Sequence, residues 1–366
     1  MDIFLDNIIF SLQKTGGISV VWYEMLQRIL IDTEINPHFL EIPNNNIFRK
    51  KLSLNPETIL HRPYLQYPIN IQRFINPNFI KEKGIFHSSY YRIVKNQNLI
   101  NITTLHDFNY EHYRSGLAKV IHHHQKDAAI KNSKRIICIS HHTKAELFEY
   151  YPKINPNHVS VIYNGVSDCY QPLLTTNETD LNKIIDFSSG EFVLYVGVRK
   201  DEYKNFKIAV KACQLSKLPI VFVGGGPLSK GEHSFLKDNL GLIQYKELPG
   251  ISSEQLNLLY NHAFCLLYPS VSEGFGIPLI EAQRAGCLVI STNCTSIPEV
   301  AGKGAILLKE VTGQKIADMF DLLKKDPTIV NNLREEGFKN SKRFSWDTCY
   351  QQTRQLYKEV YEEYFL

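Results

Sequence analysis

Three observations predict an α/β protein of two doubly wound, Rossmann-like domains: the length, an end-to-end alternation of short β-rich runs with helix-length segments, and one polar break near the middle. The chain has 366 residues, 43% of them hydrophobic and 21% charged, enough for about two domains of roughly 150 residues, each with its own core. Strand-like runs separated by helical stretches are the pattern of parallel sheets covered by helices.

In the first half the predicted strands are 3–10, 85–88, 100–106, 135–139 and 159–163, with helices at 18–30 and 117–131. Residues 44–78 are rich in Asn and Pro and lack clean periodicity, so long loops are expected there. From Gln171 to Asp180 the apolar pattern is interrupted by Pro172, Thr175-Thr176 and Asn177-Glu178-Thr179-Asp180, as a linker interrupts it. This sets a first domain at 1–170, a linker at 171–190 and a second domain at 191–346. The alternation restarts with strands at 192–198, 220–223, 242–245, 263–267, 288–291 and 305–308. Residues 347–366 form a last helix, which either stays with the second domain or completes the first. In this architecture a ligand sits where the carboxyl ends of the two sheets face one another across a cleft.

Charge and cysteine usage exclude several classes. Forty-one Lys+Arg against 37 Asp+Glu leave +4, far from the concentrated basic charge of a nucleic-acid binder. Seven widely spaced cysteines, mostly within apolar runs, read as reduced buried thiols rather than a disulfide framework or a zinc site. The apolar runs fall short of the roughly 18 residues of a membrane span, and Asp2 and Asp6 in the first apolar stretch argue against a signal peptide. A cytoplasmic protein is expected, with peripheral attachment to the inner face of the membrane left open. Arg49-Lys50-Lys51 is either a membrane-facing patch or a solvated charged loop.

The most informative segment is Glu273-Gly274-Phe275-Gly276-Ile277-Pro278-Leu279-Ile280-Glu281, just after the strand-like run ending at Ser270. Pro278 suits the first turn of a helix and Gly286 its end, which puts Glu273 in a loop and Glu281 about one turn into the helix. The glycines let backbone approach a ligand, and the N–H groups from Phe275 to Ile277 point at an anion such as a diphosphate. A carboxylate within the helix accepts hydrogen bonds from a ribose diol.

This segment resembles the E-x7-E motif of family 4 retaining glycosyltransferases with the GT-B fold, and the similarity is strongest over residues 191–301. The resemblance implies that Glu281 binds the ribose of a nucleotide sugar. It implies that Glu273 contacts the donor sugar near its reacting carbon, while the backbone of Gly274, Phe275, Gly276 and Ile277 meets sugar and phosphates. The active site is then expected in the interdomain cleft.

A second match is Tyr195-Val196-Gly197-Val198-Arg199 followed by Tyr203-Lys204-Asn205-Phe206. Two fixed cations, Arg199 and Lys204, near a departing diphosphate neutralise its developing charge, and the matching residues of the family do so. In the first half, Gly16-Gly17 follows a strand and opens a helix, so it is either a plain turn or the family's glycine-rich phosphate loop. Gly224 in Val223-Gly224-Gly225-Gly226-Pro227 ends a strand without the dinucleotide spacing, which disfavours NAD. The resemblance gives this loop to the nucleotide and the segment around Ile251 to its base.

His106-Asp107 ends a strand, and His106 resembles the family histidine near acceptor and donor sugar; a structural histidine is the alternative. Ser140 reads first as a helix cap and second as an acceptor-side residue. His122-His123-His124 point in three directions on a helix and do not form a metal site. No Asp-x-Asp triplet occurs in the chain, so no metal and no other cofactor are expected.

The resulting expectation is retaining transfer of a hexose to a saccharide or lipid-linked saccharide acceptor of cell-surface polysaccharide. The resemblance implies attack on the face from which the diphosphate leaves. The Val-Gly-Val-Arg and Tyr-Lys-Asn-Phe pair resembles bacterial mannosyltransferases, favouring GDP-mannose over a UDP-sugar. A sugar-nucleotide epimerase of the same fold and a non-catalytic nucleotide-sugar binder are the other readings.

Overall fold

The computed structural model describes residues 1–60, 67–78, 82–173 and 178–366. Thr175, Thr176 and Asn177 of the polar break and residues 61–66 of the Asn/Pro-rich segment lie outside the described residues. The chain forms two units, Met1–Gly165 with Trp346–Leu366, and Val166–Ser345.

The first unit is built on a seven-stranded parallel sheet ordered β3-β2-β1-β4-β5-β6-β7. Its strands are β1 (Asp2–Asp6), β2 (Asn36–Leu40), β3 (Ile59–Leu60), β4 (Gly84–Ser88), β5 (Leu99–Leu105), β6 (Arg135–Cys138) and β7 (Val159–Val161). Helices Gly17–Ile29 and Gly116–Asn132 lie within two residues of expectation. The strand expected to run to Phe10 ends at Asp6, and Ile8–Leu12 is a helix. An unbroken apolar run does not distinguish the two, and the chain turns at Asn7, whose side-chain oxygen accepts from Trp22 Nε1 at 2.6 Å. β2 and β3 are not among the predicted strands; β2 opens on Asn36-Pro37-His38 and β3 has only two residues. Within residues 44–78 the structure has short 3-10 turns, β3 and a one-turn helix, Ile69–Gln72.

The last helix, Trp346–Phe365, belongs to this unit. Its Tyr350 hydroxyl donates to Asp32 Oδ2 at 2.5 Å and Arg354 Nε to the same oxygen at 2.6 Å. Tyr357 meets His87 Nδ1 at 2.6 Å.

The second unit has a six-stranded parallel sheet ordered β10-β9-β8-β11-β12-β13. The strands are β8 (Val193–Val196), β9 (Ile220–Val223), β10 (Tyr245–Leu248), β11 (Cys265–Tyr268), β12 (Val289–Thr292) and β13 (Ile306–Leu308). Its core packs one face of the central strands against flanking helices through Val193, Tyr195, Phe206, Phe222, Leu267 and Phe320. β10 falls three residues later than expected. Gly241, at φ +60°, ends the preceding helix and leaves Leu242 fully exposed, so that apolar residue marks a turn. The expected linker is in part packed structure. Leu181 and Ile185 are buried, and the amides of Gln171 and Leu173 donate to Asn257 and Asn261 at 3.1 and 2.8 Å.

Candidate functional site

Lys204 and Glu273 come together where the second sheet reverses its strand order. Lys204 ends a short 3-10 turn (Glu202–Lys204) after β8, and Glu273 lies in the loop after its neighbour β11. Adjacent strands whose connections depart in opposite directions leave a crevice at their carboxyl ends, where ligands of open α/β sheets bind. Lys204 Nζ donates to Glu273 Oε1 and, at 3.2 Å, to the Tyr268 hydroxyl. The ammonium also lies 5.2 and 5.5 Å from the ring centroids of Tyr268 and Tyr203. The paired side chains retain 13% and 11% of their exposure, so the pair is neutralised internally yet reachable. Burial, and next the Glu273 charge, hold the Tyr268 phenol well above its ordinary pKa, so it remains a hydrogen-bonding neutral group.

The Glu273 loop is held by side chains from β12 and the turn after it. The hydroxyls of Ser291 and Thr292 donate to the carbonyls of Tyr268 and Ser270 at 2.6 and 2.5 Å. Thr295 Oγ1 accepts from the Glu273 N–H at 3.0 Å, and the Ser296 hydroxyl donates to the carbonyls of Glu273 and Phe275 at 2.8 and 3.2 Å. From the other side, Asn205 Nδ2 donates to Pro269 O at 2.9 Å and the Val271 amide to Tyr203 O at 2.9 Å.

Beyond the loop, Gly276 takes φ +94° and Ile277–Arg284 is a helix with Pro278 in its first turn. That backbone conformation at Gly276 is one L side chains rarely adopt, so this turn favours glycine. Phe275 is buried, edge-on to Phe344 at 5.5 Å, which anchors the loop while Gly274 and Gly276 bend on either side. The geometry is that of a helix start able to receive an anion. Glu281, in the same helix, accepts from the Tyr260 hydroxyl at 3.1 Å. Burial pushes its carboxyl up to about 7, against the hydrogen bonds of Tyr260 and Tyr170, which favour the charged form.

Arg199 departs from the expected second cation facing a ligand. Its side chain is 2% exposed and donates from Nε to Glu232 Oε1 at 2.9 Å, and from its terminal nitrogens to the carbonyls of Gly224 and Gly226 at 2.6 and 2.7 Å. Gly224, Gly225 and Gly226 all take positive φ, and a Cβ on Gly225 would meet Gly197 O at 2.9 Å. Arg199 therefore fixes the glycine loop. Glu232 is set by its own capping box with Ser229. Burial opposes its ionisation, but the Ser229 and Arg199 hydrogen bonds keep its pKa below the ordinary value. Ile251 lies after β10, just before the Ser252 cap of helix Ser253–His262.

In the first unit, His106 follows β5, is nearly buried, and lines a pocket with Trp22, His87 and Asn164. Burial, then the nearby Lys126 charge, lower its imidazole to about 4, so it is neutral at pH 7. Asp107 Oδ1 accepts from the Asn109 amide at 2.9 Å. Gly16 precedes helix Gly17–Ile29, which begins at Gly17. Ser140 is the cap of helix His141–Tyr150, accepting from the Thr143 amide at 3.0 Å. His122 stacks on Tyr110 with centroids 3.7 Å apart, whereas His123 faces Glu111. Arg49 pairs with Glu41 at 2.7 Å.

Among the described residues no cluster of three His, Cys, Asp or Glu side chains has metal-binding geometry. No helix there is long and apolar enough to cross a membrane. All seven cysteines are free thiols. Sequence reasoning missed Tyr268, Thr295, Ser296, Tyr260 and Glu232; the paired hydroxyls Ser291-Thr292 and Thr295-Ser296 were the available signal.

The sequence profile described as "Glycosyl transferases group 1" matches residues 177–341, and "Glycosyltransferase Family 4" matches residues 62–168. An uncharacterized glycosyltransferase of Methanocaldococcus jannaschii is 27% identical over 94% of this chain and 95% of its own. O-antigen chain mannosyltransferase B of Escherichia coli is 30% identical over 46% of this chain and 45% of its own. The structure of Anabaena HepE in complex with UDP-glucose, 14% identical, superposes with a TM-score of 0.76, covering 98% of this chain and 100% of that one; this is a likeness of fold. The chain carries a family 4 domain followed by a group 1 domain on the GT-B fold, and it is a glycosyltransferase.

Proposed function

We propose that the protein transfers a hexose, mannose from GDP-mannose, to a saccharide or lipid-linked saccharide acceptor of cell-surface polysaccharide, with retention of configuration. The observation that carries the reading is the Lys204–Glu273 pair at the turning point of the second sheet, followed by the Gly276–Ile277 helix start and Glu281. The E. coli O-antigen mannosyltransferase supports the choice of sugar. In this reading the diphosphate lies at the helix start and Lys204 offsets the charge that develops as the glycosidic bond breaks. Glu273 faces the sugar and Glu281 accepts from the ribose diol. The acceptor oxygen bonds to the anomeric carbon on the face the diphosphate leaves, and the departing phosphate oxygen takes the acceptor proton. Neutral His106 hydrogen-bonds a sugar hydroxyl.

The reaction proceeds in the cytoplasm, without a metal ion, and at the membrane when the acceptor is lipid-linked. A thermal-shift panel of nucleotides tests the donor: GDP should stabilise more than UDP, and the reverse order replaces GDP-mannose with a UDP-sugar. A donor-by-acceptor screen with linkage determination tests transfer. Conversion of the nucleotide sugar to its epimer without any acceptor would instead identify an epimerase.

A further inference from the structure

Thr295 has a backbone that its side chain disfavours. It lies between β12 and helix Ile297–Ala301 with φ +52°. A β-branched residue is a genuine outlier in that region, where glycine or asparagine is ordinary. Strain of this kind persists where surrounding structure imposes it, and it concentrates at functional sites. The same residue places its hydroxyl oxygen 3.0 Å from the Glu273 amide, a contact that glycine at this position could not make.

Its neighbour completes the grip. The buried Ser296 donates to the Glu273 carbonyl, so both backbone groups of Glu273 are held by consecutive residues of one turn. The other hydroxyls of β12 hold carbonyls nearer the strand, at Tyr268 and Ser270. Thr295 alone among these four bonds to the amide of Glu273. Holding a backbone at both its N–H and its C=O fixes the direction of the Cα–Cβ bond, and with it the reach of the carboxylate to Lys204.

We infer that Thr295 is a positioning residue, which orients Glu273 through its hydroxyl at the cost of an unfavourable backbone conformation. The consequence for a ligand rests on the donor role proposed for Glu273. Loosening the grip should weaken recognition of the sugar and leave that of the nucleoside diphosphate unchanged.

Thr295→Gly and Thr295→Ser separate this from a structural role. Glycine relieves the backbone and removes the hydroxyl; serine keeps the hydroxyl. The full-length variants are compared by thermal melting, by hydrogen exchange at the Glu273 amide, and by titration with GDP, GDP-mannose, UDP and UDP-glucose. For Thr295→Gly we expect an unchanged or higher Tm, exchange at Glu273 at least tenfold faster, and nucleoside diphosphate affinity within twofold of wild type. The affinity ratio of nucleotide sugar to nucleotide should shift at least fivefold, and Thr295→Ser should restore both exchange and ratio. Wild-type exchange in Thr295→Gly, or a fall in Tm that Thr295→Ser shares, would overturn the inference. Glu273→Gln is the control for the donor reading. If it leaves the ratio unchanged while Thr295→Gly accelerates exchange, Glu273 does not read the sugar and the grip stands. If it shifts the ratio while Thr295→Gly does not, the grip fails and the donor reading stands.

Discussion

Each sheet reverses its strand order once, between β1 and β4 in the first unit and between β8 and β11 in the second, and each reversal carries an acid–base pair. In the first unit Arg92 bonds to both carboxylate oxygens of Asp6, both side chains are fully buried, and Ser88 donates to Asp6 Oδ2 at 2.8 Å. In the second, the Lys204–Glu273 pair keeps about a tenth of its exposure and is surrounded by tyrosines and a glycine-bent loop. The same topological position is sealed by a bidentate ion pair in one unit and left accessible in the other. The difference lies in chemistry: a guanidinium matches a carboxylate at two points and satisfies it, whereas an ammonium is a point charge with donors to spare.

Breaking each pair should therefore have different consequences. The largest effect is expected at the sealed one: Arg92→Ala leaves Asp6 buried and unpaired and should cost about 3–5 kcal/mol, read as a lower urea midpoint. Next, Lys204→Ala or Glu273→Ala should lower transfer from GDP-mannose by about 100- to 1,000-fold while circular dichroism stays unchanged. Near-normal turnover by both folded variants would remove the pair from the active site.

Glu281 sharpens the comparison through pH. Its folded pKa of about 7 lies above the ordinary 4.5, so the folded state holds its proton more tightly than the unfolded chain. The stabilisation this gives is complete below pH 4.5 and is lost as pH rises through 7. At pH 8 the bare protein carries a penalty of about 3 kcal/mol relative to pH 4. Glu281→Gln should therefore raise the melting temperature at pH 8 by roughly 5 °C or more and have little effect at pH 4.5. Equal gains at both pH values would contradict the buried acid. If Glu281 binds the ribose as proposed, nucleotide affinity should rise across the same window in wild type only. The smallest effect is expected of Tyr260→Phe: loss of one hydrogen bond to Glu281, worth about 1 kcal/mol, should weaken GDP binding several-fold by calorimetry.

Much of the architecture was legible because buried parallel strands write themselves as short apolar runs between amphipathic helices. β9 coincides with the apolar run 220–223, and the Glu273-to-Glu281 segment stands out because glycine and proline mark turns with few alternatives. β2 escaped notice because its first three residues, Asn36-Pro37-His38, are largely polar, and β10 because Leu242 is an exposed apolar residue. The allegiance of the last helix is set by contacts to Asp32 and His87, which no periodicity encodes. Arg199 looked like Lys204 on paper; its partners, Glu232 and two glycine carbonyls, are 25 to 33 residues away and appear only once the chain is folded. The hydroxyl grip on Glu273 was hidden for the same reason, since Thr295 is 22 residues from the amide it holds.

Calorimetric titration of GDP and UDP into wild type and Glu281→Ala tests most directly whether the second unit's turning point holds the donor nucleotide. Wild type should bind GDP more tightly than UDP, and Glu281→Ala should lose at least tenfold in affinity. An unchanged dissociation constant in the variant, or no binding of either nucleotide to wild type, would contradict the account.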